Sequence, residues 1–213
     1  GAGSGKTTVI VNRLAYIIKY GNAYFSDYVP SGVSEQEVKS LEDSLKLTVE
    51  EINGILPEFA SDPCPPWATL AITFTNKAAN EIKERLERIF EGRVTTYHSR
   101  LTPQRRGKTF LRLASASGGE LIVGVRSSIF LPLNNLGLIV VDEEHDANYK
   151  QSDMSPRYNA RDMAVVMGQK YHAQVVLGSA TPSLESYLNA MSGKYAYVEL
   201  KERWGEGVLP EVV

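Results

Sequence analysis

The sequence predicts an α/β fold in which a mostly parallel sheet carries helices on both faces. Segments with helical spacing alternate with short apolar runs, and several runs are apolar at every position, as strands buried on both faces require. A glycine-rich loop also stands directly before the first helical segment. The 213 residues correspond to one domain with a large insertion. We expect a domain over residues 1–203, a helical insertion at 22–66, and a linker at 204–213.

The composition is that of a globular protein. Hydrophobic residues make up 43% of the chain and charged residues 23%, which argues against global disorder. No apolar run approaches the roughly 18 residues of a membrane span, and no charged-then-apolar leader is present, so we expect a cytoplasmic protein without a membrane partner. Cys64 is the single cysteine, which excludes an internal disulfide or a zinc cluster built by this chain alone. Because the first residue is Gly1, we expect a piece of a longer protein.

Charge is distributed unevenly along the chain. Residues 22–66 contain two lysines and nine acidic residues, whereas the rest contains 21 basic and 16 acidic residues. This acidic segment should lie away from any polyanion and pack its amphipathic helices on the flank of the domain. It is either a partner-docking insertion or a helical hairpin without a function of its own.

The helices are predicted from apolar spacing and capping residues. The first begins after the glycine-rich loop and stops near Gly21, and two capping boxes, at Ser34 and Thr48, start short helices in the insertion. Asn76 is expected to cap a helix, Thr102 with Pro103 to start another, and Pro182 to start the last. Residues 160–168 are predicted to form a further helix.

The strands are predicted from short apolar runs bounded by turn residues. Six such runs are expected to form strands: 70–74, 94–97, 121–125, 138–141, 174–177 and 195–200. The fourth is the most apolar of them and leads directly into Asp142.

The glycine-rich loop has the pattern of a phosphate-binding loop. Glycines let backbone N–H groups turn toward phosphates, and the following helix points its positive end at them. Lys6 would reach the β- and γ-phosphates of ATP, and the Thr7 hydroxyl would bind Mg²⁺. The eight-residue pattern starts one position before Gly1, so we expect the strand that feeds the loop to be absent from this chain. The nucleotide-binding residues are then Gly1, Ala2, Gly3, Ser4, Gly5, Lys6, Thr7 and Thr8.

Two further segments carry candidate catalytic and coupling residues. Asp142 follows a buried strand and would hold the Mg²⁺, and Glu143 would polarise the attacking water. An acidic turn exposed to solvent is the alternative for these two. Ser179 and Thr181 follow another strand, where small residues permit close backbone approach and the hydroxyls can hydrogen-bond to the acidic cluster. Alone, that segment could equally be an ordinary capped helix start.

Together these three elements resemble the first motor domain of a nucleic-acid helicase, a RecA-like fold. Residues 1 to about 90 resemble UvrD/Rep-type helicases of superfamily one, on GAGSGKT and on residues 73–79, TFTNKAA. Residues from about 93 to 213 resemble PriA-type replication-restart helicases of superfamily two. Their matching segments are TYHSRL at 96–101, GVRSSIF at 124–130, DEEH at 142–145, YKQ at 149–151, RYNARD at 157–162 and GSATP at 178–182. A recombinant, a mis-assembled gene and a divergent protein are all compatible with this division.

The resemblance implies a function and further site residues. The full proteins are ATP-dependent DNA helicases that translocate 3′ to 5′, act in replication restart or repair, and bind single-stranded and forked DNA. Replication-restart or repair proteins are partners, and a second RecA-like domain supplies an arginine finger. The resemblance adds His145 to the catalytic set. Aromatic stacking and phosphate neutralisation suggest that Phe74, Arg126 and residues 149–161 face DNA, and the full DNA-binding set is Phe74, Thr75, Asn76, Lys77, His98, Arg126, Ser127, Tyr149, Lys150, Arg157, Tyr158 and Arg161.

Alternative functions remain at this point. The chain is either the ATP-binding half of a DNA helicase or a truncated or chimeric fragment that folds but binds DNA at most weakly. In both cases we expect the isolated chain to be inactive. A small nucleotide kinase is less well supported, because no acceptor-substrate lid is apparent and GSATP has no standard place in one.

Overall fold

A computed structural model describes the chain at residues 6–20, 34, 36, 39, 60, 69–116, 121–153 and 155–199. The glycines of the phosphate loop, nearly all of the insertion at 22–66 and the linker at 204–213 lie outside the described residues. Of the two predicted capping boxes, Ser34 is described, and the residues at 37, 48 and 51 are not. In the described part, no helix is both long enough and apolar enough to cross a membrane.

Five parallel strands form the central sheet. They are β1 (Thr69–Ile72), β2 (Val94–Tyr97), β3 (Leu121–Gly124), β4 (Leu138–Asp142) and β7 (Gln174–Gly178), in the order β2-β3-β1-β4-β7. The two-residue strands β5 (Lys150–Gln151) and β6 (Tyr158–Asn159) pair antiparallel in a separate ribbon. The prediction of an α/β fold with a parallel sheet is therefore confirmed.

Helices cover both faces of this sheet. They are α1 (Lys6–Tyr20), α2 (Asn76–Glu87), α3 (Pro103–Ser115), α4 (Ala160–Tyr171) and α5 (Leu184–Met191), with 3-10 helices at Arg126–Phe130 and Ala147–Tyr149. On one face, α1 and α2 bury side chains such as Leu14 and Ile82 against β1, β3 and β4. On the other face, the first 3-10 helix, Tyr149 and α4 pack against the same strands. Continuously apolar strands are stable here because both of their faces are covered.

Two helix starts differ from the predicted positions. The side chain of Thr75, not Asn76, caps α2, because its Oγ1 accepts a hydrogen bond from Ala78 N at 3.1 Å while Asn76 is already helical. Helix α5 begins at Leu184 and not at Pro182, because Ser183 accepts a hydrogen bond from Ser186 N and is its cap. Thr102 caps α3 as predicted, with Pro103 in its first turn.

The predicted strand at 195–200 is wrong for the residues that the structure describes there. Residues 195–199 form no strand, and their side chains are mostly exposed. The apolar run from Tyr195 to Val198 suggested a strand, but no neighbouring strand pairs with this segment among the described residues.

Candidate nucleotide and nucleic-acid site

The predicted functional segments meet at one edge of the sheet. The strands are parallel, so all of their carboxyl ends lie at that edge, where open α/β sheets bind ligands. Asp142 lies opposite Gly178 in the pairing of β4 with β7. Beyond the strand ends, Glu144 N donates a hydrogen bond to Gly178 O at 3.0 Å. The acidic segment and the GSATP segment are thus direct neighbours.

The acidic segment places one carboxylate at the strand end and the next in a strained turn. Asp142 is the last residue of β4 and is buried. Glu143 has φ 50, a left-handed backbone that costs a residue other than glycine about 1–3 kcal/mol and often marks a functional site. Asp146 N donates to Glu143 O at 2.9 Å, which closes this turn.

His145 connects the acidic segment to Ser179 and Thr181. Its Nδ1 is hydrogen-bonded to Ser179 Oγ at 2.7 Å, and its Nε2 lies 3.5 Å from Thr181 Oγ1. The Nδ1 atom is also 3.7 Å from a carboxylate oxygen of Glu143. The structure therefore brings both predicted coupling residues against the predicted catalytic histidine, and the imidazole is the group between the two strand ends.

Glu144 is the buried centre of a hydrogen-bond network. Its carboxylate accepts hydrogen bonds from Ser183 N at 2.6 Å, Ser183 Oγ at 3.0 Å, Ser186 Oγ at 2.9 Å and Arg161 Nη1 at 3.2 Å. Burial alone would raise the pKa of Glu144, but these donors outweigh burial and hold the pKa below its ordinary value. The network joins the end of β4 to the first turns of α4 and α5.

Arg161 was predicted to face DNA, and its guanidinium lies inside this network. The side chain is 14% exposed and also donates to Ser183 Oγ at 2.8 Å and to Asp162 at 2.9 Å. Burial works to lower the pKa of Arg161, but the two carboxylates raise it above its usual value. DNA contact by Arg161 stays a prediction, and the contacts observed are with the protein.

Tyr149 corrects the sequence-based set, because its side chain is 0% exposed. A ring without solvent access in this conformation cannot stack on a base. Its hydroxyl donates to Ile72 O at 3.2 Å and to Asp142 O, so it bridges the ends of β1 and β4. Burial and the surrounding acidic residues raise its pKa.

Five predicted DNA-binding residues line one open groove next to the acidic segment. These are Phe74, Thr75, Asn76, Lys77 and Arg126, and the groove is completed by Asn80, Glu81, Glu84, Ser99, Arg100, Val125 and Asn148. Phe74 also packs against the core with its partly buried ring, and its contact with DNA stays a prediction. Asn76 Oδ1 and His98 Nδ1 are buried and have no hydrogen-bond partner among the described residues.

The other predicted DNA-binding residues are not among those that line this groove. Ser127, Lys150 and Arg157 are exposed. Arg126 Nη1 donates to Asn148 O at 3.2 Å and to Lys150 O at 3.0 Å, which attaches the 3-10 helix to the β5 segment. Burial raises the pKa of Tyr158 despite the nearby Arg126, and the ring packs edge-on against Phe130 with centroids 4.7 Å apart. Burial, and then Arg100, lowers the pKa of His98.

The predicted nucleotide contacts can be located only in part. Gly1 to Gly5 lie outside the described residues, and Lys6, Thr7 and Thr8 form the first turn of α1. Asp142 supplies a hard oxygen ligand at the strand end, which fits Mg²⁺, since this ion keeps several waters and takes one or two carboxylates. Among the described residues there is no cluster of three or more histidine, cysteine or acidic side chains that could hold a metal alone.

Comparison with known proteins gives the family. A model of the DEAD/DEAH box helicases matches residues 1–190. The chain belongs to the DEAD/DEAH box helicase family. Replication restart protein PriA of Chlamydia pneumoniae is 52% identical over 52% of this chain, and PriA of Rickettsia conorii is 34% identical over 99% of it. The chain spans 15% and 25% of the length of these two relatives.

Family membership settles two predictions from the sequence. The five-stranded parallel sheet with helices on both faces is the RecA-like domain of a DEAD/DEAH box helicase. The second, UvrD-type origin predicted for residues 1 to about 90 finds no support, because one helicase family matches residues 1–190 and a PriA protein aligns with 99% of the chain. Short motifs such as TFTNKAA carried that prediction, and they cover few residues.

Sequence reasoning missed the role of Glu144, Ser183 and Ser186. Part of the signal was present in Ser183, since serine is a preferred residue at the cap of a helix. What the sequence could not reveal is that Glu144 also accepts a hydrogen bond from Arg161, because that contact joins residues 17 positions apart.

Proposed function

We propose that this chain is the ATP-binding motor domain of a DNA helicase that acts in replication restart. ATP and Mg²⁺ would bind at the carboxyl edge of the sheet, and single-stranded or forked DNA would lie in the adjacent groove. Hydrolysis and 3′ to 5′ translocation are proposed for the longer protein, because phosphoryl transfer in this class also uses an arginine, here from a second motor domain.

One observation carries the proposal, namely the arrangement around His145. The imidazole is hydrogen-bonded to Ser179, beyond the end of β7, and lies 3.7 Å from Glu143, beyond the end of β4. A change in the acidic segment on hydrolysis would therefore reach the GSATP segment through one side chain. Asp142 and Glu143 supply the carboxylates that Mg²⁺ and an attacking water need.

The groove supports nucleic acid as the second ligand. Lys77, Arg100 and Arg126 supply positive charge, and the half-buried Phe74 offers an aromatic surface. Glu81 and Glu84 also line the groove, and Arg85 pairs with Glu81 at 2.7 Å, so the three cations outnumber the one remaining carboxylate, that of Glu84. The unpaired Asn76 Oδ1 is a buried acceptor, and such atoms ordinarily find a partner. The relatives are named for replication restart, which favours DNA over RNA.

The test is a pair of substitutions with matched controls. Lys6→Ala and Asp142→Asn are compared with Lys19→Ala, in the last turn of the same helix, and Asp153→Asn, at an exposed position. Binding of a fluorescent Mg-ATP analogue is measured on this chain, and DNA-stimulated hydrolysis is measured on the longer protein. Both site variants should lose at least about a hundredfold in hydrolysis, since they remove charges that act on the transferred phosphate.

Hydrolysis at the wild-type rate in both site variants would refute the residue assignment. Absence of any ATPase in the longer protein would favour the alternative of a folded domain without catalysis. Equal losses in the controls would show that the substitutions act through stability.

A further inference from the structure

The positive charge of the chain is concentrated in one short stretch. Residues 92–119 contain six lysines and arginines and no acidic residue, although Glu91 and Glu120 stand at its two ends. Outside 22–66 the chain has 21 basic and 16 acidic residues, so this stretch accounts for the whole excess. Most of these cations lie on helix α3 or just before it.

Helix α3 does little for the core. Leu113 is its one buried residue, and Leu111 is 69% exposed. Arg105, Lys108 and Arg112 are exposed and lie at positions i, i+3 and i+7, which places them on one side of the helix within about 11 Å along its axis. We call these three side chains the α3 basic row.

The row is available to a ligand. Arg105 and Lys108 have no side-chain partner among the described residues. Arg112 Nη2 donates to Thr95 Oγ1 on β2 at 3.0 Å, which fixes one end of the row on the sheet. Arg105 and Lys108 are one helical turn apart, and two like charges at this spacing repel each other unless an anion is nearby.

The row continues the groove described above. Arg100 lines the groove and is exposed, and it lies two residues before Thr102, the cap of α3. Along the sequence, the row therefore follows directly after Arg100, which lines the groove together with Arg126. A polymer with regularly spaced negative charges fits such a row better than an acidic protein surface, whose charges are not in line.

We propose that the α3 basic row is a second nucleic-acid contact, which binds the phosphate backbone of DNA where the strand leaves the groove. The inference rests on the proposed function, because it takes the groove to hold DNA. It adds a surface outside the motifs and a sequence-independent role, since contacts to phosphate set position and affinity but do not read bases.

The experiment uses the whole chain and three variants. Arg105→Gln/Lys108→Gln tests the row, Lys170→Gln/Lys194→Gln is a control with the same change of charge at exposed positions, and Lys77→Gln tests the groove. Affinity for labelled single-stranded oligonucleotides of 6 and 20 nucleotides is measured by fluorescence anisotropy at several salt concentrations, with thermal melting as the folding check.

For the longer oligonucleotide, the row variant should reduce the salt slope by about 1.4, since each phosphate contact on a single strand contributes about 0.7. Affinity at 50 mM salt should fall by about ten- to a hundredfold. The shorter oligonucleotide, which fills the groove alone, should bind the row variant and the wild type equally. Lys77→Gln should weaken both oligonucleotides.

The measurements test the α3 basic row and the groove separately. An unchanged slope in the row variant, with a loss in Lys77→Gln, refutes the second contact and leaves the groove in place. Equal losses in the row variant and its control refute it too, because net charge would then explain the effect. No binding of either oligonucleotide at low salt refutes both DNA contacts, while ATP binding still tests the nucleotide site.

A cross-linking measurement does not depend on the stability of the variants. A photoreactive amino acid in place of the exposed Leu111 should cross-link to the longer oligonucleotide and not to polyglutamate of equal charge. Cross-linking to polyglutamate instead would mean that the row fits an acidic protein, which overturns the proposal.

Discussion

Arg161 has two carboxylate partners in very different surroundings, and this predicts very different effects of removing each. The guanidinium lies 3.2 Å from Glu144, whose side chain is 1% exposed, and 2.9 Å from Asp162, whose side chain is 61% exposed. Geometry alone would rank the Asp162 pair as the stronger of the two. Solvent reverses the ranking, since exposed ion pairs contribute about 0–1 kcal/mol whereas breaking a buried pair costs about 3–5 kcal/mol.

Glu144→Ala should therefore lower the free energy of unfolding by about 3–5 kcal/mol, because it removes the buried carboxylate partner of Arg161 and the acceptor of Ser183 N. Glu144→Gln should cost about 1–3 kcal/mol, since the amide keeps one acceptor but turns a donor toward other donors. Asp162→Asn should cost at most about 1 kcal/mol. At about 2–4 °C per kcal/mol for a chain of this size, the three variants separate clearly in thermal melting.

The assay is thermal and urea unfolding of all three variants. Each is also combined with Arg161→Met, so that a double-mutant cycle gives the coupling energy of each pair. Coupling with Glu144 should be well above 1 kcal/mol, and coupling with Asp162 close to zero. If Asp162→Asn proved as costly as Glu144→Gln, burial would not control these energies and the reasoning would fail.

Two glycine substitutions of identical chemistry should act in opposite directions. Gly124→Ala should destabilise the fold by about 1–3 kcal/mol, since the new methyl group would collide with Ser128 and come within 2.6 Å of Tyr97 O. Gly107→Ala should stabilise α3 by about 0.5–1 kcal/mol, because no other atom lies within 4 Å of the new methyl group. Urea unfolding measures both. Tyr149→Phe should cost about 1–3 kcal/mol because Ile72 O and Asp142 O lose a buried donor, and full stability in that variant would show that they find another. Because the pKa of Glu144 is lowered in the folded protein, its carboxylate stabilises the fold above the ordinary pKa of 4.5, and this stabilisation is lost as the pH falls through the pKa of the folded state. The stability of Glu144→Gln should therefore depend less on pH in the acid range than that of the wild type, as measured by unfolding at several pH values.

The sheet could be read from the sequence because its signals are local. Runs such as 121–124 and 138–141 are apolar at every position, as strands covered on both faces require. The segment at 195–199 is also mostly apolar but has no strand beside it among the described residues, so the apolar run alone was misleading there. Strand formation needs a partner, which local pattern does not supply.

The site was partly predictable for the same reason. Parallel strands bring their carboxyl ends to one edge, so the neighbourhood of Asp142 and Ser179 follows from topology. The roles of single side chains do not follow, because they depend on which donors and acceptors are already paired. Tyr149 has the aromatic chemistry of a base-stacking residue, but it is buried and its hydroxyl is fully used.

Tyr149 and Arg126 connect the groove with the acidic segment. Tyr149 bridges Ile72 O, just before the groove residues, and Asp142 O, at the start of the acidic segment. Arg126 lines the groove and donates to the backbone on both sides of Tyr149, at Asn148 and Lys150. A displacement of Arg126 by a ligand in the groove would thus move the residue that holds the end of β4. Side chains that make no contact with either ligand can therefore couple the groove to the acidic segment, provided that they remain buried and paired.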